Sequence, residues 1–198
     1  FQGVLIIPLL LNLTTEQTAG IIVSIGSAGV VVGSLVLSAW GGPRNRIAGV
    51  YVPIAAMGVG LVLMGIRPVV GLVVAGILLM NGTHPVAGGS SQSIWQSKVP
   101  TELQGRVFSI RQVSAIAASP VAFLLAGALA DQFFEPLMDD ASGVLGGVFG
   151  SGPGRGIGLM FVLAGISALA VVFGALNHPR IKNLETEIPD LEPAPATP

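Results

Sequence analysis

The amino-acid sequence predicts an all-α integral membrane protein, and three observations carry that reading. Of its 198 residues, 52% are hydrophobic and only 10% are charged, with a mean hydropathy of +0.81. Soluble domains carry about 25% charged residues, so this chain has too few to cover a water-facing surface. The apolar residues also come in tracts of about twenty, the length at which a helix rising about 1.5 Å per residue crosses a hydrocarbon core of about 30 Å. Finally, 28 glycines and only 6% aromatics suit membrane helices that pack closely.

The same composition excludes several function classes. A formal net charge of −1 offers no basic footprint, so no nucleic-acid partner is expected. The absence of cysteine removes disulfides, thiolate metal sites and a cysteine nucleophile. There is no HExxH, no metal-spaced cluster and no GxSxG. The glycine-rich run Gly146 to Gly156 lacks the Lys-Ser/Thr ending and the preceding strand of a phosphate-binding loop. Neither an enzyme nor a bound cofactor is expected, and residues 146–156 read as a flexible outer loop.

In chain order, residues 1–13 are apolar but too short to span alone. They read as the second half of a helix, since Phe1 lies inside an apolar run with no charged region before it, and the chain is taken as a fragment lacking its upstream part. NLTTEQ (residues 12–17) is a polar turn in which Thr14 or Thr15 caps the next helix. Residues 18–40 carry no charge and span. Their Gly26, Gly29 and Gly33 fall on nearly one face, a pattern for close helix packing. GGPRNR (residues 41–46) is a basic turn. Residues 47–66 span again, with a kink expected at Pro53, and end at Arg67-Pro68.

Residues 69–95 form the next span, with Asn81-Gly82-Thr83-His84-Pro85 near its middle. Proline removes a backbone donor and crowds the preceding turn, so the helix is expected to kink or open there. Open backbone at membrane depth is tolerated only where protein buries it or a cavity adjoins it. Asn81, Thr83, His84 and Gln92 are therefore the candidate cavity residues. His84 has two readings: a proton-sensitive or substrate-binding group, or a neutral imidazole bonded to a neighbouring helix.

Ile94 to Gln112 is a polar island with Lys98, Glu102, Arg106 and Arg111. It reads as a hinge, with Thr101 as a possible N-cap and Gln104 three residues on. Arg111 could reach a cavity or snorkel to the interface. Residues 107–130 span, with Pro120 near the centre. Asp131 to Arg155 is the longest connection, in which Asp131 and Glu135 read as a solvated rim. Residues 156–177 form the last span, and 178–198 a polar tail, disordered in its Pro-rich part.

Successive connections alternate sides. One side collects Arg44, Arg46, Lys98, Arg106, Arg111, Arg180 and Lys182, seven of the nine Lys and Arg. The other holds Arg67 and Arg155 with Glu16 and the four acids after Ala130. The positive-inside rule makes the first side cytoplasmic, including the loops at 41–46 and 96–106 and the tail. Arg44, Arg46, Lys98, Arg106 and Arg111 are thus the candidate orientation and gate residues, in a plasma-membrane protein.

GSLVLSAWGGPRNR (33–46), SQSIWQSKVPTELQGRVFSIRQ (91–112) and LLAGALADQFFEPLM (124–138) resemble the C-terminal half of a major facilitator superfamily transporter, in the branch of macrolide-efflux and enterobactin-exporter-like drug:proton antiporters. The resemblance implies a six-helix bundle over residues 1–177, helices seven to twelve of twelve with the first truncated. The partners it implies are a small amphipathic substrate, protons, the lipid bilayer and a missing N-terminal six-helix half. It also implies export by alternating access. The superfamily's loop motif carries an aspartate that is absent near Ser38, although Gly41, Arg44 and Arg46 remain. GALAD (127–131) copies that motif only superficially, at the outer end of its helix. The competing reading is a non-transporting scaffold or half-size module that pairs with another chain.

Overall fold

A computed structural model describes residues 2–139, 144–150 and 152–182. Among them the chain is all helical: α1 (Gln2–Leu11), α2 (Glu16–Trp40), α3 (Arg46–Ile66), α4 (Val70–Lys98), α5 (Thr101–Leu129), α6 (Glu135–Asp139), α7 (Val144–Phe149), α8 (Arg155–Asn177) and α9 (Pro179–Lys182). Five of the helical stretches are long and apolar enough to cross a membrane. The tail beyond Lys182, and with it the disorder expected there, lies outside the described residues.

The helices start and stop where local chemistry dictates. Thr15 is the N-cap of α2, its hydroxyl accepting from the Thr18 N–H at 3.4 Å, so the second of the two candidate threonines does the capping. Asn45 caps α3, its Oδ1 accepting from Ala48 N–H at 2.9 Å. Between them, Gly41 closes α2 in the left-handed conformation (φ 78°), which a residue with a Cβ adopts only with strain.

Four helices pack through glycine. A Cβ built on Gly33 would collide with the backbone of Gly82, and one on Gly26 with Ile77, which sets α2 parallel to α4. Gly60 of α3 and Gly76 of α4 face each other's carbonyl oxygens, and so do the α3–α8 pairs Gly65/Gly158 and Gly58/Gly165. These pairs run antiparallel, as a chain threading back and forth must. The packing expected of Gly26, Gly29 and Gly33 is observed, and all three are buried. Lipid tails are as apolar as leucine, so what holds such helices together is the close backbone approach that glycine permits.

Helix α5 is different. Of its described side chains only Ala126 is buried, at 1% exposure. Its far end continues through a five-residue π-helical turn, Ala130–Phe134, into α6. There Glu135 Oε1 accepts from Ile157 N–H at 3.3 Å at the start of α8, against which Gly156 fits without a side chain. Glu135 is therefore not part of a solvated rim as expected. It is half-buried and satisfies a free N–H of the α8 amino end. Asp131 does remain exposed.

Three further expectations change. Helix α4 does not open at Pro85 but runs on as continuous helix. Packed neighbours hold it just before that point, with Gly33 against Gly82 and Asn81 bonded to Gly26, and so the one lost backbone bond is tolerated. The polar island is, as expected, a tight hinge: it is the end of α4 and the start of α5, separated by Val99-Pro100 alone. Pro100, not Thr101, occupies the N-cap position, and Gln104 Nε2 instead donates to the Gln96 and Val99 carbonyls at 3.2 and 3.1 Å. Lastly, the presumed outer loop is partly helical, as α7, before Gly150 and Gly154 turn the chain into α8 with φ near +84° and +80°.

Candidate functional site

Because α5 touches its neighbours near its ends and leaves its middle free, a cleft opens between α4 and α5. Its volume is 790 Å³, and its lining includes Gly88 and Gln92 from α4 with Phe108, Ser109, Arg111 and Gln112 from α5. Positions 108, 109, 112 and 115 recur at helical spacing and so share one face of α5. On α4, positions 84, 88, 91, 92 and 95 form the facing stripe by the same spacing.

Arg111 is the central group. Its Nη2 donates to Ser91 Oγ at 2.7 Å, and its guanidinium carbon lies 5.5 Å from the centre of the Trp95 ring. A planar cation stacked on an indole face gains roughly 0.5–2 kcal/mol, more where water is scarce. The hydroxyl and the ring together fix the orientation of the guanidinium and leave most of its five N–H donors uncommitted to protein acceptors. Arg111 therefore reaches across to α4 rather than snorkelling along its own helix. Sequence reading missed its two partners. Ser91 and Trp95 stand one turn apart on α4, a pairing visible only once the cleft is known.

The other candidate residues separate into three groups. Gln92 lines the cleft, and His84 is exposed on the same α4 stripe, one turn beyond Gly88. Asn81 and Thr83 are used within the bundle: Asn81 Nδ2 donates to Gly26 O at 2.8 Å, and Thr83 Oγ1 to Leu79 O at 2.7 Å. At the basic end, Arg46 Nη1 donates to Ser97 Oγ at 2.8 Å, and the Ser97 hydroxyl in turn donates to Ile94 O at 3.1 Å. This relay ties the α2–α3 turn to the last turn of α4, where Lys98 also stands. Arg44 and Arg106 are exposed.

Away from this region, Arg155 is the notable buried charge. It is 1% exposed, its Nη1 donates to Phe149 O at 3.0 Å, and its Nη2 is enclosed without a partner. Among the described residues no cluster of His, Asp or Glu could hold a metal ion.

Comparison with known proteins gives one kind of match. Macrolide efflux protein A of Streptococcus pyogenes, and the protein of the same name in its serotype M6, are each 29% identical to this chain over 108 residues. That stretch is 54% of this chain and 27% of the relative, so the chain spans well under half the length of the curated relatives it matches. No family model matches, and no solved structure does. The chain thus combines a transporter-like relative with an all-helical fold whose five long apolar helices suit a multi-pass membrane protein.

Proposed function

We propose that this chain is the C-terminal half of a major facilitator superfamily transporter, residues 1–177 forming its six-helix bundle, that exports small amphipathic compounds by proton antiport. The observation that carries the reading is the α4–α5 cleft. It is a mainly apolar recess with an oriented guanidinium and the polar groups of Gln92, Ser109 and Gln112, walled by helices long enough to span a membrane. A likeness to a macrolide efflux protein supports the same direction of transport. In this reading a second six-helix half closes the open side of the cleft, and the two halves rock about it. The basic end, with Arg44, Arg46, Lys98 and Arg106, faces the cytoplasm of a plasma-membrane protein.

Within the site Arg111 and Gln92 contact substrate. His84 follows them along the α4 stripe as the proton-responsive group, imidazole being the side chain type that exchanges protons near neutrality. Asn81 positions α4 against α2, while the Thr83 hydroxyl is spent on carbonyls of α4 itself.

The test is efflux of a compound panel by the complete protein in a pump-deficient host. We expect export of at least one amphipathic compound and a loss of about tenfold in Arg111→Gln, the equivalent of about 1.4 kcal/mol. His84→Ala should shift the pH dependence of efflux at unchanged expression. A protein that reaches the membrane yet exports none of the panel supports the non-transporting module instead.

A further inference from the structure

A second recess lies at the basic end, on the far side of α4 from the cleft. It measures 390 Å³ and is lined by the α2–α3 turn (Gly41, Gly42, Pro43, Arg44, Arg46), by Leu37, and by Gly89, Ser90 and Ser93 of α4. We propose that it binds the phosphate of an anionic membrane lipid. The inference concerns the basic end alone and holds whatever the protein transports.

Charge is the first argument. Two of the nine lining residues are arginines and none is acidic. Arg44 is exposed at the mouth, while Arg46 is drawn inward to Ser97. Guanidinium forks match the geometry of phosphate oxygens and give charge-assisted bonds about twice as strong as neutral ones.

The second argument is the hydroxyl at the floor. Ser90 is only 6% exposed and lines the recess from α4. The neighbourhood is also built to spare its space: a Cβ on Gly49 would strike both Ser90 Oγ and Pro43, and one on Gly89 would lie 3.0 Å from Leu37 Cδ2. Glycine at these positions keeps the recess open and its serine accessible. Ser93, one turn of α4 away, offers a second hydroxyl.

Position decides for a lipid over a soluble phosphate. The recess adjoins Trp40, 63% exposed at the end of α2, and indole rings collect at headgroup depth. Beside it the outward side of α2 carries exposed apolar side chains, Val32, Leu35 and Val36, which acyl chains can meet while the phosphate sits among the arginines and serines. Lipid recognition here rests on the proposed cytoplasmic orientation of the basic end: basic pockets between helices on that side recognise anionic headgroups in this way.

The experiment is native mass spectrometry of the complete protein in micelles of phosphatidylcholine containing phosphatidylglycerol, with inorganic phosphate as competitor. We expect one phosphatidylglycerol retained per protein in preference to phosphatidylcholine, and affinity about tenfold lower in Arg44→Gln, with Arg44→Lys between the two. Ser90→Ala should weaken retention, and Gly49→Ala, which directs a methyl at Ser90, should weaken it again. Arg44 is exposed, so its variants fold. Retention unchanged in Arg44→Gln, or equal for the two lipids, overturns the proposal. Displacement by millimolar inorganic phosphate would assign the recess to free anions and overturn the lipid.

Discussion

Helices α3 and α5 are both long, apolar and uncharged through the middle, yet the structure treats them in opposite ways. In α3, Gly49, Gly58, Gly60 and Gly65 each meet a neighbouring helix where a Cβ would stand. In α5, Gly105 and Gly127 meet nothing within 4 Å. The contrast teaches what holds this bundle together. Moving an apolar side chain from lipid to protein gains little, so a helix is bound where backbones can touch and stays loose where they cannot. Helix α5 is held instead by polar ties: Arg111 to Ser91 and Trp95, Gln104 to the end of α4, and Glu135 to the start of α8.

The contrast breaks most sharply under substitution at glycine. Gly65→Ala pushes a methyl into the Gly158 carbonyl, and neither backbone can retreat without opening the seam. We expect a loss of about 2–3 kcal/mol, within the range for overpacking. Gly127→Ala, with open space around it, should be neutral or gain up to about 1 kcal/mol from helix propensity. Reversible unfolding in mixed micelles measures both, and equal responses would end the distinction.

Next in size is Arg111. The chain has no cysteine, so spin labels at Leu78→Cys and Leu129→Cys report the α4–α5 separation without background. Arg111→Gln should broaden that distance distribution and destabilise the fold by about 1.5–3 kcal/mol, the range for a hydrogen bond from a charged donor. An unchanged distribution would mean that Arg111 does not fasten α5. Asn81→Ala removes the α4–α2 bond and should cost about 1 kcal/mol, typical of an interhelical bond in a membrane. Smaller than the Asn81 effect is that of Gln104→Ala, about 0.5–1 kcal/mol, because the carbonyls it serves lie near water.

Much of the fold was legible. Tract length located every long helix, and the spacing of Gly26, Gly29 and Gly33 marked a packing face that the structure buries. The start of α5 is legible in the TELQ run after Pro100, while the apolar tract from Val107 marks only its spanning part, since hydropathy reports bilayer thickness and a helix can project beyond it. The polar island is legible as a tight hinge because Pro100 cannot continue the helix before it, so Lys98 closes α4 while Glu102 and Arg106 open α5. Of the cleft, Gln92 was named as a lining residue, and the alternative of a cavity-facing Arg111 was open. Trp95 and Ser91 were not found, because their partner lies across the α4–α5 corner. Glu135 was out of reach altogether: its acceptor role depends on Ile157, 22 residues further along the chain.

One consequence concerns the corner at Val99-Pro100, which Gln104 stitches to the end of α4. A helix leaving a fixed corner behaves as a lever. With about 1.5 Å of rise per residue, Arg111 stands about 16 Å out along the arm and Leu129 about 43 Å. A rotation of about 10° would then carry Arg111 through about 3 Å and Leu129 through about 8 Å. The first displacement is as long as the Arg111–Ser91 bond itself, 2.7 Å. That bond is a gauge of angle: it survives only while the arm stays within a few degrees of rest, long before the far end has travelled the width of a helix.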